Sequence, residues 1–504
     1  MYKKIGSFSD YSHFKKPTIN AHCGYAFPKY LFLIMTFCII FFLGYNFYQY
    51  YSVLIWKGTL LFQACNKDSP VVWVYAEKTT HLQHVINIFE QTGYVAIAGI
   101  TPPKKWDVMW SYTFPFLNNF NDLLQKLQPH QKVNHMPGIG YLTLKVYLAS
   151  LKKQWIPEAF VLPEDKDQFE LRVQNFPNKS WVQKSNNHRG IKIIQTKDVD
   201  SQSTNTFVQE FVDQPLLVDG KKFDIGVYVV ITSVEPLLAY AYKSEILVRF
   251  CKHDYYPFNP EDTESYVVGD DYIPISEMPS LQSYYNQFKM TVHDSLFTYL
   301  SSIGYNSQRI WYEIIRCIAE VLIEKQVTMQ KSFTGFLHKQ NFFELVRMDF
   351  IIDQLANVWL MEINMSPNLS SELHKLNALM YEQVIYNTLS LVGVASHLKS
   401  QFSELDIASS DRDIMFATDQ CASEECHSMC LNKCRLCHHC LSEDMRIYLK
   451  KAFREHNNKG SFTRVWPTAL NESMVQNELQ LSESNQILFH WFKEKCARNN
   501  YWCF

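Results

Sequence analysis

Two carboxylates and one amide stand close together near the end of a β-rich stretch: Asp349, Glu362 and Asn364. The runs 342–353 and 358–364 carry aromatic and β-branched residues and flank Gln354-Leu355-Ala356-Asn357, which predicts a hairpin. A turn centred between Leu355 and Ala356 sets Asp349 directly opposite Glu362, and directly paired residues share a face. Asn364, two residues further on, falls on that same face. Hard oxygen donors in this arrangement suit Mg2+, which completes its shell with phosphate and water. The solvent face of an ordinary sheet shows the same alternation, so the hairpin alone leaves both readings open. A second group precedes it. Lys184 closes an expected strand at 181–183 and is followed by Asn186-Asn187-His188-Arg189-Gly190-Ile191. A lysine at a strand end can reach phosphate oxygens as a point charge, and Gly190 permits close backbone approach. A common hairpin loop has the same composition.

The elements that must position these residues follow from periodicity. Strand 71–75, a helix at 81–92 and strand 94–98 predict a small α/β unit, joined by strand 106–111 and a helix over 142–151. From residue 157 the texture changes to longer strands at 191–195, 207–212, 223–233 and 237–250. Helices are expected at 282–302, 307–324 and 373–392. The fold class is α/β (α+β), with no internal repeat and no low-complexity tract.

At 504 residues, 47% hydrophobic and 19% charged, the chain is long enough for two or three domains and too apolar for broad disorder. A formal net charge of −2 gives no global field toward nucleic acid or anionic lipid, so no nucleic-acid partner is expected. Between Lys29 and Lys57 there is no charge, and residues 30–48 are almost wholly apolar. Such a helix spans roughly 28 Å, about the hydrocarbon core of a bilayer. A single uncleaved membrane anchor is expected at 30–51. Lys15, Lys16 and Lys29 before it outnumber Lys57 and Lys67 after it, which favours a type II orientation at an endomembrane or the cell surface.

Of the 13 cysteines, six cluster at Cys421, Cys426, Cys430, Cys434, Cys437 and Cys440, beside His427, His438 and His439. Disulfides, a zinc site built on Cys434-x-x-Cys437-x-x-Cys440, and free thiols all fit this spacing, with disulfides preferred. Asn178, Asn364, Asn368 and Asn471 head N-x-Ser sequons.

Taken in order, the motifs form a pattern. Asn134-His135-Met136-Pro137-Gly138, Lys145, Leu162-Pro163, Lys184 with His188-Arg189-Gly190-Ile191, and Gln209-Glu210-Phe211-Val212 follow one another. Asp219-Gly220-Lys221-Lys222-Phe223-Asp224, Leu247-Val248-Arg249-Phe250, and Asp349 with Glu362-Ile363-Asn364-Met365-Ser366-Pro367 continue the series. Over about 71–392 this order resembles the tubulin tyrosine ligase-like family, in its polyglutamylase branch. The resemblance implies an ATP-grasp fold and a ligase that joins an amino acid, glutamate or a relative, to a carboxylate of tubulin or another protein. It implies that Lys184 contacts ATP phosphates, that Arg189, Gly190 and Ile191 close over them, and that Gln209, Glu210, Phe211 and Val212 form the adenine hinge. It further implies that Lys222, Phe223 and Asp224 complete the nucleotide pocket, that Arg249 holds the amino acid's carboxylate, and that Asp349, Glu362 and Asn364 bind Mg2+. The expected organisation is a tail at 1–29, the anchor at 30–51 and a linker at 52–70. An α/β domain at 71–155, a catalytic ATP-grasp domain at 156–395 and a helical Cys-rich region at 396–504 follow.

Two departures stand against the pattern. Family members usually carry Arg where this chain has Gly226, and the stretch 263–274 lacks the His-Leu-Thr-Asn-Tyr-Ser type of motif that contacts nucleotide and amino acid. These departures leave a catalytically degenerate ATP-binding scaffold or sensor as one alternative to tubulin ligation, and the expected type II orientation leaves a ligase for a luminal protein as a second.

Overall fold

The computed structural model describes residues 69–117, 120–185, 193–194, 198–395, 404–415, 421–430, 432–467 and 481–503. The described elements belong to one unit, Pro70–Phe504. The apolar run at 30–51 lies outside the described residues, and among the described residues no helix is long and apolar enough to cross a membrane.

Strands β1 (Val71–Tyr75), β2 (Val95–Ala98), β3 (Val108–Ser111) and β4 (Lys132–Val133) make a parallel sheet in the order β2-β1-β3-β4. The helix Gln83–Gln91 is the crossover from β1 to β2 and buries Val85, Ile88 and Phe89, an i, i+3, i+4 stripe. A second sheet is antiparallel. It runs β5 (Ala159–Leu162), β8 (Thr206–Glu210), β6 (Trp181–Ser185) and β7 (Ile193–Ile194).

The largest sheet is organised by β10 (Lys221–Val234), which β9 (Leu217–Val218) joins at its start. One edge of β10 pairs with β12 (Leu247–Phe250) and then β11 (Leu237–Tyr242), and the other pairs with β14 (Glu344–Ile352). Beyond these lie β13 (Ile273–Pro274), β15 (Val358–Met365) and β16 (Phe462–Trp466). Most of β10 is buried on both faces, which explains its near-continuous apolar sequence from Val227 to Ile231. Phe223, Ile225, Val227 and Val229 enter one core, against the helix Ser307–Lys331, and Tyr228 and Val230 enter the other.

Several elements differ from expectation for identifiable reasons. The expected strand 237–250 is two strands, because Lys243-Ser244-Glu245 interrupts the apolar run and Glu245 Oε2 accepts the Val292 N–H at 2.9 Å. The expected helix 282–302 is a single π-turn, Ser283–Gln287, then a helix Val292–Ser302 capped by Thr291, with Lys289 at φ 56° between them. The helix over 142–151 is split into Gly140–Thr143 and Lys145–Ala149 by an extended Leu144. Finally, the region 396–504 is not only helical. Its strand β16 pairs antiparallel with β11, while the helix Glu483–Arg498 buries Ile487, Leu488, Trp491 and Phe492. The clustered cysteines are paired there as Cys421–Cys437, Cys426–Cys434 and Cys430–Cys440, with Cys496–Cys503 beyond.

Candidate active site

One face of the large sheet gathers charge. Register fixes which residues share it: Asp224 pairs with Arg249, Gly226 and Tyr228 pair with Asp349 and Arg347, and these pair in turn with Glu362 and Asn364. The intervening residues Ile225, Val227, Met348 and Phe350 point into the opposite core. The hairpin therefore pairs Asp349 with Glu362 as expected, by a slightly different route. Its turn is centred on Leu355, and a bulge that leaves Met361 unpaired restores the register.

The side chains on this face form a continuous network. Arg249 donates to Asp224 in a fork, Nε to Oδ1 at 2.8 Å and Nη2 to Oδ2 at 2.7 Å, and Nη2 also reaches Asp349 Oδ2 at 3.1 Å. Arg347 makes a second fork onto Asp349, at 2.7 and 2.8 Å. Asn364 Nδ2 donates to Asp349 Oδ2 at 2.9 Å and to Glu362 Oε1 at 3.1 Å, so one amide ties both carboxylates together. Lys145, at the start of its short helix, places Nζ 2.9 Å from Glu362 Oε2.

Burial and charge pull these groups in opposite directions. Burial alone would raise the Glu362 carboxyl, but the Lys145 ammonium and the Asn364 amide bring it down to about 2. Burial raises Asp224, against the pull of Arg249. Arg249 and Arg347 lose hydration on burial yet are held above their ordinary values by the carboxylates they grip. On the second sheet, burial pushes Lys184 down to about 8, with the Lys145 ammonium adding to the shift. Glu362 raises and Lys222 further lowers the same group, which stands on β6.

The nucleotide-side residues divide. Lys184 Nζ donates to Gln209 Oε1 at 2.8 Å, and Lys222 Nζ donates to the Tyr266 carbonyl at 3.0 Å while lying 5.1 Å from the Phe211 ring centre. Phe211, Tyr266, Tyr255 and Val182 form a small apolar cluster beside them. Phe223 is placed elsewhere: its ring packs on Phe250 in the core behind the sheet. Glu210 pairs with Lys179, and Val212 is half-buried just beyond β8. Arg189, Gly190 and Ile191 lie outside the described residues. Arg249, expected to take an amino-acid carboxylate, is engaged here by two carboxylates of the chain itself.

Sequence reasoning assigned no role to Lys145, Arg347 or Tyr272. Arg347 could have been found from its two-residue spacing to Asp349, which puts both on one face. Tyr272, in the divergent stretch 263–274, stacks on His374 with ring centres 3.8 Å apart and accepts from Asn377 Nδ2 at 2.7 Å. Two carboxylates, each within hydrogen-bond reach of one shared amide, are a donor set of the type that holds Mg2+. The cysteine cluster offers less to a metal. Among the described residues Cys430, His439 and Cys440 converge, but both sulfurs are in one disulfide.

The family model for the tubulin-tyrosine ligase family matches residues 123–401. A probable tubulin polyglutamylase, ttll-15 of Caenorhabditis elegans, is 39% identical over 438 residues, 84% of each chain. A probable beta-tubulin polyglutamylase of Tetrahymena thermophila is 26% identical over 55% of this chain and 25% of its own. Human tubulin polyglutamylase TTLL5 is 27% identical over 53% of this chain and 22% of its own. The expected single-pass, type II membrane placement is corrected on these findings: no described helix is long and apolar enough to cross a membrane, and the relatives are named as tubulin modifiers. The mixed α/β architecture, the ordered motifs and a match over more than half its length agree, and the chain belongs to the tubulin-tyrosine ligase family.

Proposed function

We propose that the protein is an ATP- and Mg2+-dependent ligase that joins glutamate, or a related amino acid, to a carboxylate of tubulin. The observation that carries this reading is the convergence of Asp349, Glu362 and Asn364 on one face of the sheet, among Arg249, Arg347 and Lys145. A carboxylate is a poor electrophile at neutral pH. One of its oxygens attacks the γ-phosphorus of ATP, ADP leaves, and an acyl phosphate results. The amino nitrogen of the incoming amino acid then attacks the acyl carbon, phosphate departs, and the nitrogen loses its proton as the amide forms. Bound Mg2+ would supply charge neutralisation on the transferring phosphoryl oxygens. The chain's own residues do the rest. Asp349, Glu362 and Asn364 would hold the metal, Lys184 and Lys222 would meet phosphate charge, and Phe211 and Tyr266 would offer an apolar surface to the base.

Substituting Glu362→Gln tests this reading. Mg2+-dependent ATP turnover and transfer of labelled glutamate to tubulin are expected to fall by about a hundredfold. The melting temperature should fall as well, because the Lys145 ammonium loses its carboxylate partner, so turnover is compared on the folded fraction. Unchanged turnover would refute the assignment. A second reading, an ATP-binding scaffold without transfer, draws support from the engagement of Arg249 by Asp224 and Asp349. Mg-ATP binding without labelled tubulin would favour it.

A further inference from the structure

Gly226 sits in the middle of β10, where a glycine weakens a strand and adds nothing to packing. Its backbone does not call for it, because Gly226 is absent from the positive-φ glycines among the described residues. Space does call for it. A Cβ at 226 would lie 2.8 Å from Arg347 Cδ, 3.2 Å from Arg347 Nε and 3.1 Å from Asp349 Oδ1. The volume a side chain at 226 would take is filled by an arginine arriving from β14. That arginine is 7% exposed, and it forks onto a carboxylate that is itself 2% exposed.

We infer that Arg347 is a resident cation of the centre, positioning Asp349 from the neighbouring strand beside Arg249, and that Gly226 is the vacancy that admits it. The two positions form one device. A cation that β10 cannot carry at 226 is delivered from β14, one register step away, since Gly226 pairs with Asp349 and Arg347 lies two residues before it. The chemical role of that cation rests on the ligase reading above. With phosphate in place, a guanidinium beside Asp349 offsets charge on the same side of the sheet as Glu362 and Asn364. The absence of an arginine at 226 is then a relocation of charge and not a deletion. It follows that adding one at 226 alone creates a collision, not a gain.

Four variants test this: Arg347→Gln, Arg347→Lys, Gly226→Arg, and the exchange Gly226→Arg with Arg347→Gly. Each is first checked for folding by circular dichroism and melting. Arg347→Gln is expected to lower kcat by about a hundredfold, with Arg347→Lys intermediate. Gly226→Arg alone should also lose activity, and the exchange should recover at least about tenfold over either single change. A merely structural arginine would lower the melting temperature but leave kcat of the folded fraction within about threefold of the unaltered protein, and that result overturns the inference. An exchange no better than its parts also overturns it. If Arg347→Gln does not fold, the lysine variant and the exchange decide by the same limits. If the unaltered protein transfers no glutamate, the ligase reading falls separately. The inference is then judged by affinity for Mg-AMP-PNP: a loss of about tenfold in Arg347→Gln, restored in the exchange, supports it, and equal affinities refute it.

Discussion

The Lys145 ammonium lies 2.9 Å from Glu362 Oε2 and joins a short helix to the far strand of the hairpin. This pair, with Asn364, keeps Glu362 ionised down to about pH 2. Because the folded value is below the ordinary 4.5, the associated stability is present above pH 4.5 and disappears as pH falls through 2. Lys145→Met leaves burial less opposed and raises the carboxyl. Metal-dependent ATP binding in the variant should then weaken at a higher pH than in the unaltered protein. A titration of Mg-ATP affinity from pH 4 to 7, flat in both proteins, would contradict this.

Lys184 gives the opposite limb. Burial lowers its pKa to about 8, so its charge is lost as pH rises through that value. Between 8 and the ordinary 10.5 the unfolded chain binds the extra proton, so this group makes stability rise with pH while phosphate binding falls. The KM for ATP should increase above pH 8. Lys184→Arg, charged throughout, should remove that increase even if it binds less well at pH 7.

Glu344 should matter for stability and not for chemistry directly. It is wholly buried and accepts from His135 Nδ1 at 2.9 Å and from the Met136 N–H at 2.8 Å, fastening the Asn134–Pro137 loop to β14. Glu344→Ala strands both donors in the interior and should cost about 3 kcal/mol, read from urea unfolding. A change near zero would show that the loop is held some other way.

The cysteine pairs are open to direct chemical mapping. Peptides from the unreduced protein should be linked as 421–437, 426–434 and 430–440. Each bridge closes a short loop, for which about 2–3 kcal/mol is the usual stabilisation, so reduction should lower the melting temperature. Recovery of stoichiometric zinc with six free thiols would contradict the pairing.

Much of the site was legible because strand alternation puts chemically related residues on one face whatever the details of the turn. The hairpin shows how. Asp353 accepts the N–H groups of Leu355 and Asn357 and Ala356 adopts φ 63°, so the turn centres on Leu355, half a residue from the expected place. The bulge at Met361 then compensates. Arg347 escaped notice because an arginine near an aspartate is ordinary in sequence, and its meaning lies in a glycine 121 positions earlier that only strand pairing brings alongside. Strand β16 was hidden by Arg464, a charged residue at a buried position. Its satisfaction depends on one local and one distant partner: it donates to the Pro467 carbonyl at 2.6 Å and to the Trp502 carbonyl, 38 residues on, at 2.8 Å.

The pairing of β16 with β11 has a consequence for biosynthesis. Strand β11 emerges from the ribosome long before its neighbour, and until residues 462–466 follow, its outer row of N–H and C=O groups is a template for any passing strand. A nascent chain, or a message cut short before that point, thus exposes a sticky edge on the sheet that carries the charged site. Arrival of residues 462–466 alongside β11 is the step that seals it.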